Sequence, residues 1–203
     1  MIAIIDYGLG NVNAFFNYFK RSNIECCLAQ QAKDLEEAKK IILPGVGSFD
    51  GAMKKFNESG MRDVVESKIF EDNCPILGVC VGMQIMFECS EEGDLEGLGW
   101  INGSVKKIIK KNESMRLPHM GWNSIEVINK DDVLNNLNQS FFYFLHSYYV
   151  SPANQDNIIS TTTYGDIFPS VIKKNNIYGI QCHPEKSHSN GATFLKNFSN
   201  LKC

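Results

Sequence analysis

Short apolar runs alternate with segments of helical period through the first half of the chain. Apolar stretches at 2–5, 24–29, 41–43 and 76–79 predict strands, while 12–20, 34–38, 49–56 and 82–87 predict helices. Such alternation implies right-handed crossovers and a parallel sheet covered on both faces. Beyond Gly103 the pattern changes. Strand-like stretches follow one another at 105–109, 124–128, 141–149, 158–164, 170–173 and 177–182. The chain between them is too short for crossovers, so part of the sheet is expected to be antiparallel. A closing helix over 190–200 presents Phe194, Leu195 and Phe198 to the core. No repeat or interdomain linker interrupts the pattern, which predicts one α/β domain over residues 1–203.

Composition narrows the function without naming it. A chain of 203 residues buries most of its apolar surface without disulfides or metals. A net charge of −3 offers no basic field for nucleic acid. The lysine pairs Lys106-Lys107 and Lys110-Lys111 straddle an apolar pair and predict a solvated strand edge. Seven cysteines, among them Cys26, Cys27, Cys74, Cys89, Cys182 and Cys203, show no paired CxxC spacing for zinc and imply a reducing cytosol. The opening Met1-Ile2-Ala3-Ile4-Ile5-Asp6 reaches an acid too early for a signal peptide. No run approaches the roughly 18 apolar residues that span a bilayer.

The candidate chemistry starts at Gly78-Val79-Cys80-Val81-Gly82-Met83-Gln84, directly after the apolar run Pro75-Ile76-Leu77. A glycine two positions before and two after a nucleophile is the composition of a strand that turns sharply into a helix, with the nucleophile standing proud of the sheet. A side chain at either glycine would clash where backbone approaches backbone. At a helix N-terminus, unpaired N–H groups favour the thiolate. A core cysteine would look the same in isolation, so the reading depends on partners.

In open α/β sheets, ligands sit beyond the carboxyl ends of the strands. Pro44-Gly45-Val46-Gly47-Ser48-Phe49, Cys80 and His183-Pro184-Glu185 all follow predicted strands. Pro184 biases His183 toward extended geometry, and residues two apart on an extended segment project to one side. Glu185 can then hold one imidazole nitrogen while the other faces a thiol. Gly45 and Gly47 permit the close approach and unusual angles that would aim N–H groups of Val46 and Gly47, with that of Val81, at an oxyanion. His119 and His146 lie among aromatics and read as hydrogen-bonded core or interface residues, and His188 has no acid beside it. No metal constellation emerges, and Gly8-x-Gly10 lacks the third glycine of a dinucleotide fingerprint, because position 13 is Asn13.

Taken in order, Pro44-Gly45-Val46-Gly47, Gly78-Val79-Cys80-Val81-Gly82-Met83-Gln84 and His183-Pro184-Glu185 resemble the motifs of class I glutamine amidotransferases, the triad glutaminases. The likeness spans nearly the whole chain. Four further stretches are similar to the glutaminase subunits of imidazole glycerol phosphate synthases: Ile5-Asp6-Tyr7-Gly8-Leu9-Gly10-Asn11, Pro118-His119-Met120-Gly121-Trp122-Asn123, Tyr143-Phe144-Leu145-His146-Ser147-Tyr148, and His183-Pro184-Glu185-Lys186-Ser187.

The resemblance implies a flavodoxin-like three-layer α/β/α fold, L-glutamine as substrate, and no cofactor. It assigns Cys80 as nucleophile, His183 as proton shuttle and Glu185 as its orienter. It places Gly45, Gln84, Ser147 and Tyr148 at the substrate, and Val46, Gly47 and Val81 at the oxyanion. Asn11, Met120, Trp122, Tyr143 and Lys186 match positions facing a (β/α)8-barrel cyclase subunit or gating the ammonia path to it. The cyclase would use the ammonia to form imidazole glycerol phosphate and AICAR in histidine biosynthesis. The family also implies a heterodimer whose oxyanion donor is misdirected until the partner binds its own ligand. The stretch Asn13-Ala14-Phe15 departs from the family, where a serine commonly replaces Ala14. Relatives that pass ammonia to a cyclase-like partner amidating a sugar in surface-glycan synthesis share the same triad.

Overall fold

The computed structural model describes residues 1–202; Cys203, read above with the other cysteines, lies outside the described residues. In chain order the elements are β1 (Ile2–Ile5), α1 (Val12–Arg21), β2 (Cys26–Ala29), β3 (Lys40–Gly45), α2 (Phe49–Glu58), α3 (Arg62–Phe70), β4 (Ile76–Cys80) and α4 (Val81–Gln84). Then come β5 (Cys89–Ser90), β6 (Gly103–Lys107), β7 (His119–Ser124), β8 (Glu126–Val127), β9 (Phe141–His146), β10 (Tyr148–Pro152), β11 (Ile158–Tyr164), β12 (Asp166–Lys174), β13 (Ile177–Ile180) and α5 (His188–Asn200).

An eight-stranded sheet in the order β2-β1-β3-β4-β13-β12-β11-β8 forms the centre. From β2 to β13 the neighbours are parallel, and from β13 to β8 antiparallel. This is the mixed α/β sheet expected from the change of pattern after Gly103. Every residue of β1, β3, β4 and β13 is buried, as parallel strands covered on both faces require. Phe15 and Phe19 of α1, Phe49, Met53 and Phe56 of α2, and Phe194, Leu195 and Phe198 of α5 join them in the core.

Several elements differ from expectation, each for a local reason. The helix predicted over 34–38 is a 3-10 turn, Ala32–Leu35, capped by the Asp34 carboxylate on the Gln30 and Gln31 N–H groups. The helix predicted over 82–87 stops at Gln84. The carbonyls of Ile85, Met86 and Phe87 instead accept hydrogen bonds from Leu98, Ile101 and Gly99, so a following loop takes the bonds a longer helix would use. Helix α3 was not expected; its only buried residues are Val65 and Ile69, too thin a stripe to stand out. The stretches 124–128 and 141–149 each split. β9 pairs with β7 while β10 pairs with β6, so the chain changes sheets at Ser147. Finally, β6 is not an edge but the middle of the β10-β6-β5 sheet, although Lys106 and Lys107 do face solvent.

Strand β3 and the turn after β4 meet backbone to backbone. A Cβ on Gly82 would lie 2.0 Å from the Leu43 carbonyl oxygen, and one on Gly45 would lie 2.2 Å from the Gly82 nitrogen. At Gly78 it would fall 2.7 Å from both the Gly82 oxygen and Met83 Cα. Backbone cannot swing aside as a side chain can. Gly82→Ala is therefore expected to destabilise the fold by about 1–3 kcal/mol, the usual cost of overpacking. Urea unfolding measures this, and an unchanged midpoint would contradict the close approach.

Candidate active site

Strand β4 ends on Cys80, whose backbone sits at φ 55°, ψ −113°. A non-glycine residue there is strained, and such strain persists only where the surroundings enforce it. Here the enforcing contacts are the glycine approaches around the turn. The side chain is 4% exposed. Its thiol points at the Leu145 carbonyl, 3.9 Å away, and its sulfur accepts from Gln181 Nε2 at 3.7 Å.

The imidazole expected as base follows the end of β13. His183 Nδ1 lies 3.0 Å from Glu185 Oε1, with the two side chains 3% and 2% exposed. Pro184 opens a 3-10 turn, Pro184–Lys186, that folds the carboxylate back onto the ring. Ser187 ties this turn to β9: its hydroxyl donates to the His183 carbonyl at 2.6 Å and accepts from the Tyr143 N–H at 3.0 Å. The His183 N–H in turn donates to the Tyr143 carbonyl at 2.9 Å. Helix α5 closes over the turn so tightly that a Cβ on Gly191 would stand 1.8 Å from the Pro184 oxygen.

Burial alone would lower the His183 pKa, but the neighbouring Cys80 and Glu185 outweigh it and raise the value to about 10. Both neighbours favour the protonated ring. Glu185 Oε2 is buried without a hydrogen-bond partner, so Oε1 carries the whole contact to the ring.

A cavity of about 290 Å³ opens over these groups, lined by Cys80 and His183 together with Val46, Gly47, Val81, Gln84, Ser147, Tyr148 and Lys186. These include most of the residues expected at the site. Gly45 is not among them; it packs against Gly82 beneath the turn, as its buried position requires. Gly47 takes φ 97°, open to glycine, and nothing lies within 4 Å of where a Cβ would stand.

Lys186 lines the cavity, while Met120, Trp122 and Tyr143 lie on the β7–β9 pair rather than within the core. Met120 is 65% and Trp122 48% exposed, and Trp122 is opposite Tyr143 in the β7–β9 register. Lys186 Nζ lies 5.8 Å from the centre of the Tyr143 ring, and Trp122 stacks on His188. Asn11 is exposed at the start of α1, with no side-chain capping bond.

His119 and His146 form a buried relay. His146 Nδ1–H donates to the Tyr148 carbonyl at 2.9 Å, which leaves its Nε2 to accept from His119 Nδ1–H at 2.9 Å. His119 Nε2 then accepts from Asn123 Nδ2 at 3.2 Å. Each nitrogen has a partner that suits neutral rings. Burial lowers the pKa of His119 to about 4 and that of His146 to about 3, the Tyr148 bond opposing the latter shift.

Two site residues were not read from the sequence. Glu92 lines the cavity, and its Oε2 accepts from the Phe49 N–H at 2.8 Å; in an acidic loop, Glu91-Glu92-Gly93-Asp94, nothing distinguishes it. Gln181 is wholly buried beside Cys80. Its signal was present, since it precedes His183 by two residues on an extended segment.

A thiol at a strained turn, an imidazole held by a buried carboxylate and a cavity over both are the parts that acyl transfer through a cysteine needs. The chain belongs to the class I glutamine amidotransferase family, whose model matches residues 3–201. It is 47% identical to the imidazole glycerol phosphate synthase subunit HisH of Bdellovibrio bacteriovorus, over 99% of this chain and 100% of that protein. The subunit of the same name from Leptospira borgpetersenii is 46% identical over the same shares. Among solved structures, a glutamine amidotransferase crystal structure superposes with a TM-score of 0.74 at 19% identity, covering 97% of this chain and 98% of that one. The likeness extends to the fold of a putative GMP synthase subunit from Thermoplasma acidophilum, with a TM-score of 0.72, 19% identity, and coverage of 98% and 91%.

Because the His183 pKa is raised from 6.5 to about 10 in the folded state, its pairing stabilises the protein fully below pH 6.5 and loses that effect as pH rises toward 10. The stability gap between wild type and Glu185→Gln is expected to be widest just below pH 6.5 and to narrow steadily as pH rises toward 10. Urea unfolding across that window, with ring titration by NMR, provides the check. A His183 midpoint below 7 would contradict the pairing.

Proposed function

We propose that this chain is the glutamine-hydrolysing subunit of an imidazole glycerol phosphate synthase, releasing ammonia to a (β/α)8-barrel cyclase partner. The observation that carries the chemistry is Cys80 in one cavity with His183, whose ring is anchored by Glu185. The partner assignment draws on the full-length relatives and their shared name, which favour it over sugar amidation.

With its proton passed to His183, Cys80 Sγ attacks the side-chain carbonyl carbon of glutamine. Negative charge develops on the carbonyl oxygen, where the N–H of Val81 and those around Val46 and Gly47 serve as donors; losing one such donor costs about 3–4 kcal/mol in the barrier. His183 then gives its proton to the amide nitrogen, the C–N bond breaks and ammonia departs. Water, activated by the now neutral ring, cleaves the thioester to glutamate and restores the thiol. Every group in this cycle is a protein side chain, backbone N–H or water, so it requires no cofactor or metal.

Substrate is held by what the cavity offers. Gln84 donates both N–H groups, to the Tyr148 carbonyl at 3.0 Å and Gln181 Oε1 at 3.2 Å, which leaves its own oxygen for the ligand. Glu92 supplies a carboxylate for the substrate α-ammonium, with Ser147 and Tyr148 on the facing wall. The exposed Met120 and Trp122, beside Tyr143 and Lys186, suit an apolar interface with the cyclase, the Lys186 ammonium meeting a partner carboxylate. Asn11 is read as an outlying part of that interface.

The Val46–Gly47 peptide has the freedom to reorient, since Gly47 is unhindered and Val46 is 39% exposed. Partner-linked reorientation of its N–H is the proposed switch between idle and active states. Among the described residues no helix is long and apolar enough to cross a membrane. A free catalytic thiol suits a reducing cytoplasm.

Cys80→Ala in the two-subunit complex is expected to abolish glutamine-dependent synthesis and preserve synthesis from added ammonia; retained glutamine use would sink the proposal. In the same assay, the unmutated chain by itself should hydrolyse glutamine far more slowly than in the complex with cyclase ligand. A second variant addresses binding: Glu92→Gln should raise the glutamine KM on the order of tenfold with a smaller change in kcat, as expected for loss of a charge-assisted contact. An unaltered KM would remove Glu92 from the site.

A further inference from the structure

We propose that Gln181 is a positioning residue of this site, whose side-chain amide fixes the Cys80 sulfur and stabilises its anionic form from a side His183 does not serve. The proposal rests on the reading of Cys80 as the glutaminase nucleophile.

Gln181 leaves β13 two residues before His183, and its side chain is wholly excluded from solvent. Its amide orientation is dictated by its neighbour. The Tyr148 carbonyl only accepts, so it turns Gln84 Nε2 toward itself, and the second Gln84 N–H is left to Gln181 Oε1. Gln181 Nε2 must then face away from Gln84, and there it meets Cys80 Sγ at 3.7 Å. Flipping the amide would set Nε2 against Nε2 and bring an oxygen lone pair to the sulfur, losing both contacts at once.

The Tyr148 carbonyl is itself held, because it also accepts from His146. Through His119 and Asn123 the network reaches β7, and its two arms meet at the Tyr148 carbonyl, which accepts from both. Around Cys80 the other titratable groups are His183, Lys186, Glu92 and Tyr148 of the same cavity, with Tyr7 and Cys182. The Tyr7 hydroxyl is committed to the Pro44 carbonyl at 2.7 Å, and burial pushes Tyr7 and Cys182 upward, which keeps both neutral. Gln181 is thus an uncharged donor to the sulfur that no proton transfer removes. An N–H bond to an anionic acceptor is about twice as strong as one to a neutral acceptor, so the contact strengthens when the thiol gives up its proton.

The test follows iodoacetamide alkylation of Cys80, read by mass spectrometry of its peptide across about pH 5 to 9. Full-length wild type is compared with Gln181→Met, which keeps length without a donor, and Gln181→Glu, which keeps the acceptor for Gln84 but turns an acid toward sulfur. The alkylation midpoint is expected to move upward by about one pH unit in Gln181→Met and further in Gln181→Glu, with glutamine kcat falling about tenfold and KM changing by less than about threefold. A packing role would lower stability without moving the midpoint. Gln181→Glu, matched in size, carries the test if Gln181→Met does not fold. Alkylation profiles superimposable on wild type, or a loss confined to KM, would overturn the assignment. Cys80→Ala separates the two readings: glutamine use that survives it removes the nucleophile, whereas an inactive Cys80→Ala beside unshifted Gln181 variants removes only this proposal.

Discussion

Contact between two backbones, with no side chain interposed, sets the geometry of this molecule. The end of β3 and the turn after β4 touch at Gly45 and Gly82, closer than any Cβ would permit. In register, Gly45 stands opposite Cys80 on the neighbouring parallel strand. The peptide groups that follow Gly45 are thereby delivered beside the Cys80 thiol. The strained Cys80 backbone is held in the same vice, and relaxing it would mean separating two central strands of a buried sheet.

The second half of the site is built on the opposite physical basis. Around His183 the chain is polar, buried and almost completely hydrogen-bonded, with Ser187, Tyr143 and Glu185 each satisfying a specific atom. Low dielectric surroundings make such bonds strong and make any vacancy costly. The unpartnered Glu185 Oε2 is the exception among buried side-chain atoms of the described residues.

Much of this was legible in the sequence because it depends on local spacing. The glycines around Cys80, the proline between His183 and Glu185, and the change from alternating to consecutive strands each leave a mark within a few residues. What escaped depends on distant partners. α4 is short because residues near Leu98 capture the carbonyls that follow it, and the strand near Ser147 divides because its halves pair with β7 and β6. Glu92 becomes a cavity residue only when its loop docks on the N-terminus of α2, a contact spanning 43 residues. Gln181 was legible by alternation, but its purpose emerges only beside Gln84 and Cys80.

The docking of α5 on the base turn has a consequence in time. Gln181 and Cys80 are 101 residues apart, and the helix that presses on Pro184 follows later still. A ribosome makes the thiol long before it makes the imidazole, the carboxylate or the helix that braces them. Throughout that interval the nascent chain carries an ordinary cysteine, and reactivity arrives only as the final helix settles. Topology thus orders the assembly of the site: the thiol comes first and the groups around it close on it last.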